Sequence, residues 1–269
     1  MYESYYQLKG KPFSKTPDPA YLFLSNQHQE ALARLQLAVT EREVAVLVGR
    51  IGCGKTTLSR ALVDALDKKC VPIVLINPNL SPAQLLGQIA VGLGVEQPPR
   101  SKRLLVDQIQ TRLFDEYKEE RCPVFIIDEA QLIPSKECFD ELRLLTNFQL
   151  DDQNLFSLIL VGQPELMTRL AKPAYEAFRQ RIGLISRLGV LSEEETRQYV
   201  RFRLKKAGGH ANLFTAAALE KIHEFSGGVP RVINHLCTNA LLEGMGRDAK
   251  TLGPEIIADV HRDMSFQLS

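Results

Sequence analysis

The sequence predicts a three-layer α/β fold, in which helices cover both faces of a parallel sheet of five core strands, followed by a small all-α domain. Up to residue 188, short apolar runs alternate with helix-length segments, which is typical of parallel strands joined by crossover helices. Beyond residue 188 only helical patterns follow. We therefore expect an α/β domain at 1–188, with an N-terminal arm at 1–24, and a helical domain at 189–269.

Composition argues against a secreted or membrane-spanning chain and leaves nucleic-acid binding open. The chain has 269 residues, 45% hydrophobic and 24% charged, and a formal net charge of +1, so its overall charge neither indicates nor excludes nucleic-acid binding. The five cysteines are scattered and odd in number, which favours free thiols in a reducing compartment. No signal peptide and no apolar run of about 18 residues is present, so we expect a cytoplasmic chain without a membrane span.

The arm and the first helix are predicted from prolines and a capping residue. Pro17 and Pro19 lack N–H donors and bias the residues before them towards extended conformations, so no helix is expected at 1–24. Ser25 is a candidate N-cap for a helix that ends near Glu41. The arm is expected to pack on the core.

A glycine-rich loop follows the first predicted strand, which covers 44–48, and precedes a helix. It reads Gly49-Arg50-Ile51-Gly52-Cys53-Gly54-Lys55-Thr56. A glycine, four residues and Gly-Lys-Thr between a strand and a helix form a phosphate-binding loop, or P-loop. The glycines let backbone N–H groups point inwards, and the positive end of the next helix faces the same place.

The P-loop nominates residues for a nucleotide and its metal ion. Lys55 is expected to reach the β- and γ-phosphates, and the Thr56 hydroxyl to hold Mg²⁺. The arm at 1–24 is then also a candidate wall for the base. Cys53 is expected to be a small filler, or else a thiolate that the helix N-terminus stabilises and exposes to oxidation. The candidate nucleotide-binding residues here are Gly49, Gly52, Gly54, Lys55, Thr56 and Thr57.

Three elements precede the next motif. The run at 71–76 is predicted as a buried strand, because its apolar residues do not alternate with polar ones. Ser81 and Pro82 indicate the start of a helix that ends at Gly94. A further helix is expected at 104–120. The loop between the two helices carries three positive charges, at Arg100, Lys102 and Arg103.

Two strands are predicted to end in polar side chains. The run at 124–127 ends in Asp128 and Glu129, and ligands of parallel sheets bind at the carboxyl ends of strands. Asp128 is expected to hold Mg²⁺, and Glu129 to activate the water that attacks the γ-phosphate. The strand at 155–161 leads to Gln163. If this strand lies between the other two, Gln163 can sense the γ-phosphate or orient the water; otherwise it is a turn residue.

Helices alone are predicted after the fifth strand, at 183–188. Ser192 and Glu195 form a capping box at the start of the first helix, which stops before Gly208. Later helices are expected to begin at Thr215, Pro230 and Glu255.

In combination, these motifs resemble an AAA+ ATPase with a helical lid. In that family a lid arginine called sensor 2 lies near the start of a helix, and Gly228-Val229-Pro230-Arg231 resembles that motif, which nominates Arg231. The family's arginine finger reaches the nucleotide of the neighbouring subunit from the helix before the fifth strand. Arg181 matches that place, with Arg179 as the alternative, and a surface ion pair is the other interpretation of both.

A closer resemblance is to the ExeA/GspA family, the ATPase domains of general-secretion protein A components. The motifs fall in the family's order along nearly the whole chain: Tyr5-Tyr6, Phe13-Ser14, Pro17-Asp18-Pro19, Tyr21-Leu22, the P-loop, Asp128-Glu129-Ala130-Gln131, Val161-Gly162-Gln163-Pro164-Glu165-Leu166 and Gly227-Gly228-Val229-Pro230-Arg231. The resemblance implies Mg²⁺-dependent ATP hydrolysis by a homo-oligomer, a ring or a filament, acting on a partner protein in secretion or pilus biogenesis. Family members continue into a membrane span, so this chain is either a fragment from the inner face of the membrane or a stand-alone relative.

Two alternative functions stay open at this point. Stand-alone relatives resemble TniB and TnsC transposition ATPases, for which double-stranded DNA is the partner. The basic residues that would then contact phosphates are Arg100, Lys102, Arg103, Arg201, Arg203, Lys205 and Lys206. The third interpretation is a nucleotide-gated scaffold that hydrolyses ATP too slowly to do work.

Overall fold

The computed structural model describes residues 1–14, 21–150 and 153–266, so Pro17, Asp18 and Pro19 lie outside the described residues. The chain divides into two compact units. The helical unit comprises Met1–Asn26, Ile51–Thr57 and Gly189–Ser269, and the sheet unit comprises Gln27–Arg50 and Leu58–Leu188. The arm and most of the P-loop thus belong to the same compact unit as the C-terminal helices. The sequence suggested a single division after residue 188, and that domain boundary stays a prediction.

The sheet unit contains a five-stranded parallel sheet and a short antiparallel pair. The strands in chain order are β1 (Val44–Gly49), β2 (Cys70–Leu75), β3 (Cys122–Ile127), the pair β4 (Gln149–Leu150) and β5 (Gln153–Asn154), β6 (Ser157–Gly162) and β7 (Ile182–Leu188). The large sheet has the order β2-β3-β6-β1-β7, with every neighbouring pair parallel. Because β6 lies between β3 and β1, the condition set for Gln163 is met.

Most helices of the described residues agree with the predicted ones, but the helices at 136–145 and 176–179 were not predicted. They are α1 (Tyr2–Tyr5), α2 (Asn26–Thr40), α3 (Lys55–Asp64), α4 (Pro82–Gly92), α5 (Lys102–Lys118), α6 (Lys136–Leu145), α7 (Pro164–Leu170), α8 (Glu176–Arg179), α9 (Glu193–Lys206), α10 (Ala216–Ser226), α11 (Pro230–Gly246) and α12 (Pro254–Phe266). No helix in the described part of the chain is long and apolar enough to cross a bilayer.

Two predictions about the sheet unit are wrong in detail. Strand β2 is not buried on both faces, since Pro72 and Val74 are exposed while Ile73 and Leu75 are buried. The reason is its place at the edge of the sheet, where only one face is covered. The basic residues Lys102 and Arg103 lie in the first turn of α5 instead of in the preceding loop.

The arm packs on the core of the helical unit, as expected. Tyr2, Tyr6 and Phe13 are buried in a cluster with side chains of α9, α10, α11 and α12. The prediction that the arm contains no helix is wrong at its start, because α1 forms one turn there. The prolines behind that prediction lie further along the chain and do not act on this turn.

Candidate nucleotide-binding and catalytic site

The P-loop has a backbone conformation that fits a phosphate cradle. Gly52 and Gly54 have φ angles of +82° and +96°, in the left-handed region that glycine adopts without strain. Lys55 is the first residue of α3 and is only 7% exposed. Cys53 is fully buried, in keeping with a small filler. This set of donors suits the phosphates of a nucleotide and, through the Thr56 hydroxyl, a magnesium ion.

Within the helical unit, the start of α11 contacts the P-loop. The Arg231 N–H donates to the Gly52 carbonyl oxygen at 3.2 Å. A Cβ atom on Gly52 would lie 2.6 Å from the Arg231 Cβ and 3.2 Å from a Val229 methyl carbon, so a larger residue at position 52 would displace α11. The structure thus brings together Arg231 and the P-loop, which are far apart in sequence.

A close backbone approach fixes the bend before α11. Gly227 and Gly228 have φ angles of +56° and +72°. The Leu191 N–H donates to the Gly228 carbonyl at 2.8 Å, and a Cβ on Gly228 would lie only 2.0 Å from the Leu191 carbonyl oxygen. Around Gly227 the space is open. A side chain is therefore excluded at position 228 and strained, but sterically possible, at position 227.

We expect Gly228→Ala to destabilise the helical unit by about 2–4 kcal/mol, because positive φ and a backbone clash add together. Gly227→Ala is the matched control and should cost about 1–2 kcal/mol, for positive φ alone. Urea unfolding followed by circular dichroism measures both. Equal losses in the two variants would show that the contact with Leu191 does not fix the bend.

The two carboxylates predicted at the end of β3 lie in a tight turn of the sheet unit. Asp128 is 8% exposed, and its Oδ1 accepts the Glu129 N–H at 2.9 Å. Glu129 has a φ of +52°, which is uncommon for a residue with a side chain, although four other non-glycine residues of the described chain also have positive φ angles. A 3₁₀ helix, Ala130–Leu132, follows at once. The turn leaves Asp128 buried and Glu129 half-buried, and their roles as metal ligand and base stay predictions.

Gln131 joins Glu129 to the end of β6. Its Nε2 donates to Glu129 Oε2, and its Oε1 accepts the Gln163 backbone N–H at 2.9 Å. The Gln163 side chain also points its Nε2 at Glu129 Oε2, at 3.4 Å. The structure therefore brings Gln163 and Gln131 to Glu129, and the predicted role of Gln163 towards the γ-phosphate or the water stays a prediction. In the sequence, Gln131 stood out only as part of a family motif. Its place two residues after Glu129 was nevertheless a usable signal of a contact with that carboxylate.

The two candidate arginine fingers differ in their contacts. Arg179 donates to the main-chain carbonyls of Leu170 and Ala171, at 3.3 and 2.9 Å, and so caps the end of α7. Arg181 is exposed and donates only to the Asn147 side chain among the recorded hydrogen bonds of the described residues, at 2.7 Å. If its side chain turned towards another subunit, Arg181 would break fewer of these hydrogen bonds than Arg179 would.

Two basic residues considered for DNA contacts are engaged within the protein. Lys102 forms an ion pair with Glu141, with 2.5 Å between Nζ and Oε1. Arg203 is 7% exposed and donates to the Pro12 carbonyl and to the Tyr199 hydroxyl. Burial raises the pKa of the Tyr199 phenol, while Arg203 acts against that rise. The prediction of Arg203 as a phosphate contact is therefore wrong, because its guanidinium stabilises the arm.

Comparisons with known proteins concern the family and the fold of this chain. A family model described as an AAA domain matches residues 39–170. The chain is 37% identical to General secretion pathway protein A of Aeromonas hydrophila over 99% of its own length, and it spans 48% of that relative. It therefore spans about half the length of this curated relative.

Solved structures share the fold at low sequence identity. The ORC2 protein of Aeropyrum pernix, solved as ADPNP-ADP complexes, has a TM-score of 0.70 and 19% identity, covering 94% of this chain and 71% of that one. Cdc6p from Pyrobaculum aerophilum has a TM-score of 0.70 and 16% identity, covering 94% of this chain and 70% of that one. At these identities the likeness concerns the fold.

Proposed function

The chain belongs to the AAA+ family of P-loop NTPases, and on this premise we propose that it is a Mg²⁺-dependent ATPase that works as a homo-oligomer on a partner protein. The observation that carries the proposal is the Glu129 carboxylate, which two amides hold between the ends of β3 and β6. A positioned carboxylate at this edge of a parallel sheet has the place and the chemistry of a general base.

The P-loop is proposed to bind the triphosphate. Its backbone N–H groups and the Lys55 ammonium would offset the negative charge on the β- and γ-phosphates. Thr56 and Asp128 are the residues that would hold Mg²⁺, which when bound neutralises charge on the phosphate oxygens. The positive φ angles of Gly52 and Gly54 support this part of the proposal.

Glu129 is proposed to take a proton from the attacking water. Both amide contacts go to Oε2, so we assign Oε1 to the water. The amides are neutral donors, and they orient the carboxylate without cancelling its charge. Gln163 is close enough to Glu129 to position the same water.

A neighbouring copy is proposed to complete the site with Arg181. A positive charge at the γ-phosphate stabilises the transition state, and an arginine finger supplied in trans is worth about 10³–10⁵ in rate. The exposure of Arg181 and the capping role of Arg179 support this choice. A monomer should accordingly be a poor ATPase.

Arg231 is proposed to couple the nucleotide to the helical unit. Helix α11 starts in contact with Gly52 of the P-loop, so the Arg231 side chain is proposed to bond the γ-phosphate. Hydrolysis would remove that phosphate and the bond with it, and α11 would then be free to move. Similarity to General secretion pathway protein A supports a partner protein in secretion. Pilus biogenesis and a place at the cytoplasmic face of the membrane belong to the proposal alone.

The experiment that tests this function measures phosphate release from MgATP and limited proteolysis in the same samples. We expect the wild type to turn over ATP and ATP to protect its helical unit from protease. Arg231→Ala should keep the fold and lose the protection, because the side chain that reads the γ-phosphate is gone. Arg201→Ala, an exposed arginine on α9, is the matched control and should stay protected.

Two outcomes would contradict this account. A folded wild type that releases no phosphate at any protein concentration would not be an ATPase. Full ATP-dependent protection in Arg231→Ala would remove Arg231 from the coupling while leaving the hydrolytic function intact.

A further inference from the structure

We propose that Gln131 is a positioning residue that fixes the carboxylate of Glu129 for water activation. The inference rests on the proposed role of Glu129 as the general base. Its basis is a bridge of two hydrogen bonds, from the Gln131 Nε2 to Glu129 Oε2 and from the Gln163 backbone N–H to the Gln131 Oε1. One amide thereby ties the base, at the end of β3, to the end of β6.

The chemistry of the partners fixes the orientation of this amide. A backbone N–H can only donate, so the oxygen of Gln131 must face Gln163. The NH₂ group is then left for Glu129, whose ionised carboxylate can only accept. Each end of the amide meets the one partner that it can bond, and a flipped amide would oppose like groups at both ends.

Packing holds Gln131 in this place. A Cβ on Gly162 would lie 3.0 Å from the Gln131 Oε1, so the absence of a side chain there makes room for the amide. The 3₁₀ helix that carries Gln131 is anchored by the fully buried Ala130 and by the Ile133 carbonyl, which accepts a bond from Arg169. Gln131 is therefore a rigid support.

Without this bridge, the one hydrogen bond left to the Glu129 carboxylate from the described residues would be the longer contact from the Gln163 side chain, at 3.4 Å. Its own backbone, with a φ of +52°, belongs to a turn and does not fix the side-chain torsions. We therefore expect the carboxylate of a Gln131 variant to sample several rotamers. Nucleotide binding depends on other residues and should not change.

The test compares Gln131→Ala and Gln131→Asn with Gln108→Ala, which removes an exposed glutamine on α5. We expect both Gln131 variants to lower kcat about 10–100-fold, because a displacement of roughly 1 Å in a catalytic group has that effect. Asparagine is too short to span the bridge. The dissociation constant of a fluorescent ATP analogue should stay within twofold of the wild-type value in all three variants.

A double-mutant cycle with Glu129→Gln shows whether Gln131 acts through Glu129. In that background, Gln131→Ala should cause no further loss of the residual single-turnover rate. An unchanged or raised kcat in both folded single variants would overturn the inference, and so would the same fold-loss with and without Glu129. A wild type that shows no turnover would instead overturn the proposed function on which the inference rests.

Discussion

Glu129→Gln is expected to bind ATP with wild-type affinity and to hydrolyse it about 10²–10⁴ times more slowly, the range of general acid–base catalysis. The amide keeps the shape of the carboxylate and loses its basicity, so water is no longer activated. The two contacts now made by Gln131 and Gln163 would also be weakened, because they would end on a neutral acceptor. Rapid-quench measurement of single turnover separates this loss from slow product release.

Glu165→Gln is the matched control for this variant. Glu165 lies two residues beyond Gln163, is exposed, and forms no ion pair within the described residues. Its substitution should leave the rate unchanged. If Glu129→Gln kept near-normal turnover, Glu129 would not be the base, and the bridge through Gln131 would be purely structural.

Arg181→Ala is expected to lower kcat by about 10³–10⁵, which corresponds to roughly 4–7 kcal/mol of activation free energy. The loss should appear only in the assembled protein, because the finger acts on the nucleotide of a neighbour. For the wild type, activity per subunit should therefore rise with protein concentration through the range in which the oligomer forms. Phosphate release together with sedimentation analysis measures both quantities.

Arg179→Ala distinguishes the two candidate fingers. Its guanidinium bonds the carbonyls of Leu170 and Ala171, so its removal should lower stability and leave kcat within a few-fold of the wild-type value. A larger loss of kcat in Arg179→Ala than in Arg181→Ala would reverse their assignment. If activity per subunit stayed constant from monomer to oligomer, the proposal that an arginine finger acts in trans would be wrong.

Local signals in the sequence predicted the ends of helices well. Ser81 with Gln84, and Ser192 with Glu195, form complete capping boxes at the starts of α4 and α9. A capping box needs only residues three positions apart, so tertiary structure has little chance to override it. The spacing of the P-loop and the carboxylates after β3 are signals of the same local kind.

Features that depend on strand order or on contacts between distant residues were harder to predict from the sequence. An edge strand and a central strand have the same apolar run, so the exposure of β2 on one face could not be predicted. The engagement of Lys102 by Glu141 and of Arg203 by Pro12 joins residues distant in sequence. Lys102 and Arg203 were therefore counted as available for DNA phosphates, although the folded protein uses both in its own contacts.

The bridge of hydrogen bonds through Gln131 was also hard to predict from the sequence. Glu129 and Gln163 were each predicted from the polar end of a strand, and Gln163 only on the condition that β6 lies between β3 and β1. Gln131 acquires its role because that strand order brings the Gln163 N–H to it. Its place two residues after Glu129 could signal the contact with that carboxylate, but nothing nearby in sequence indicates the bond to Gln163.

Mixing two inactive variants tests the central claim most directly, since the claim is that Glu129 of one copy and Arg181 of the next act on one ATP. Purified Glu129→Gln and Arg181→Ala proteins are combined at equal concentration, and phosphate release is measured. We expect recovery to roughly a quarter of the wild-type rate, the share of head-to-tail interfaces that combine both intact residues in a random mixture. If the two proteins co-assemble and the mixture stays as inactive as its components, Glu129 and Arg181 do not form a shared site.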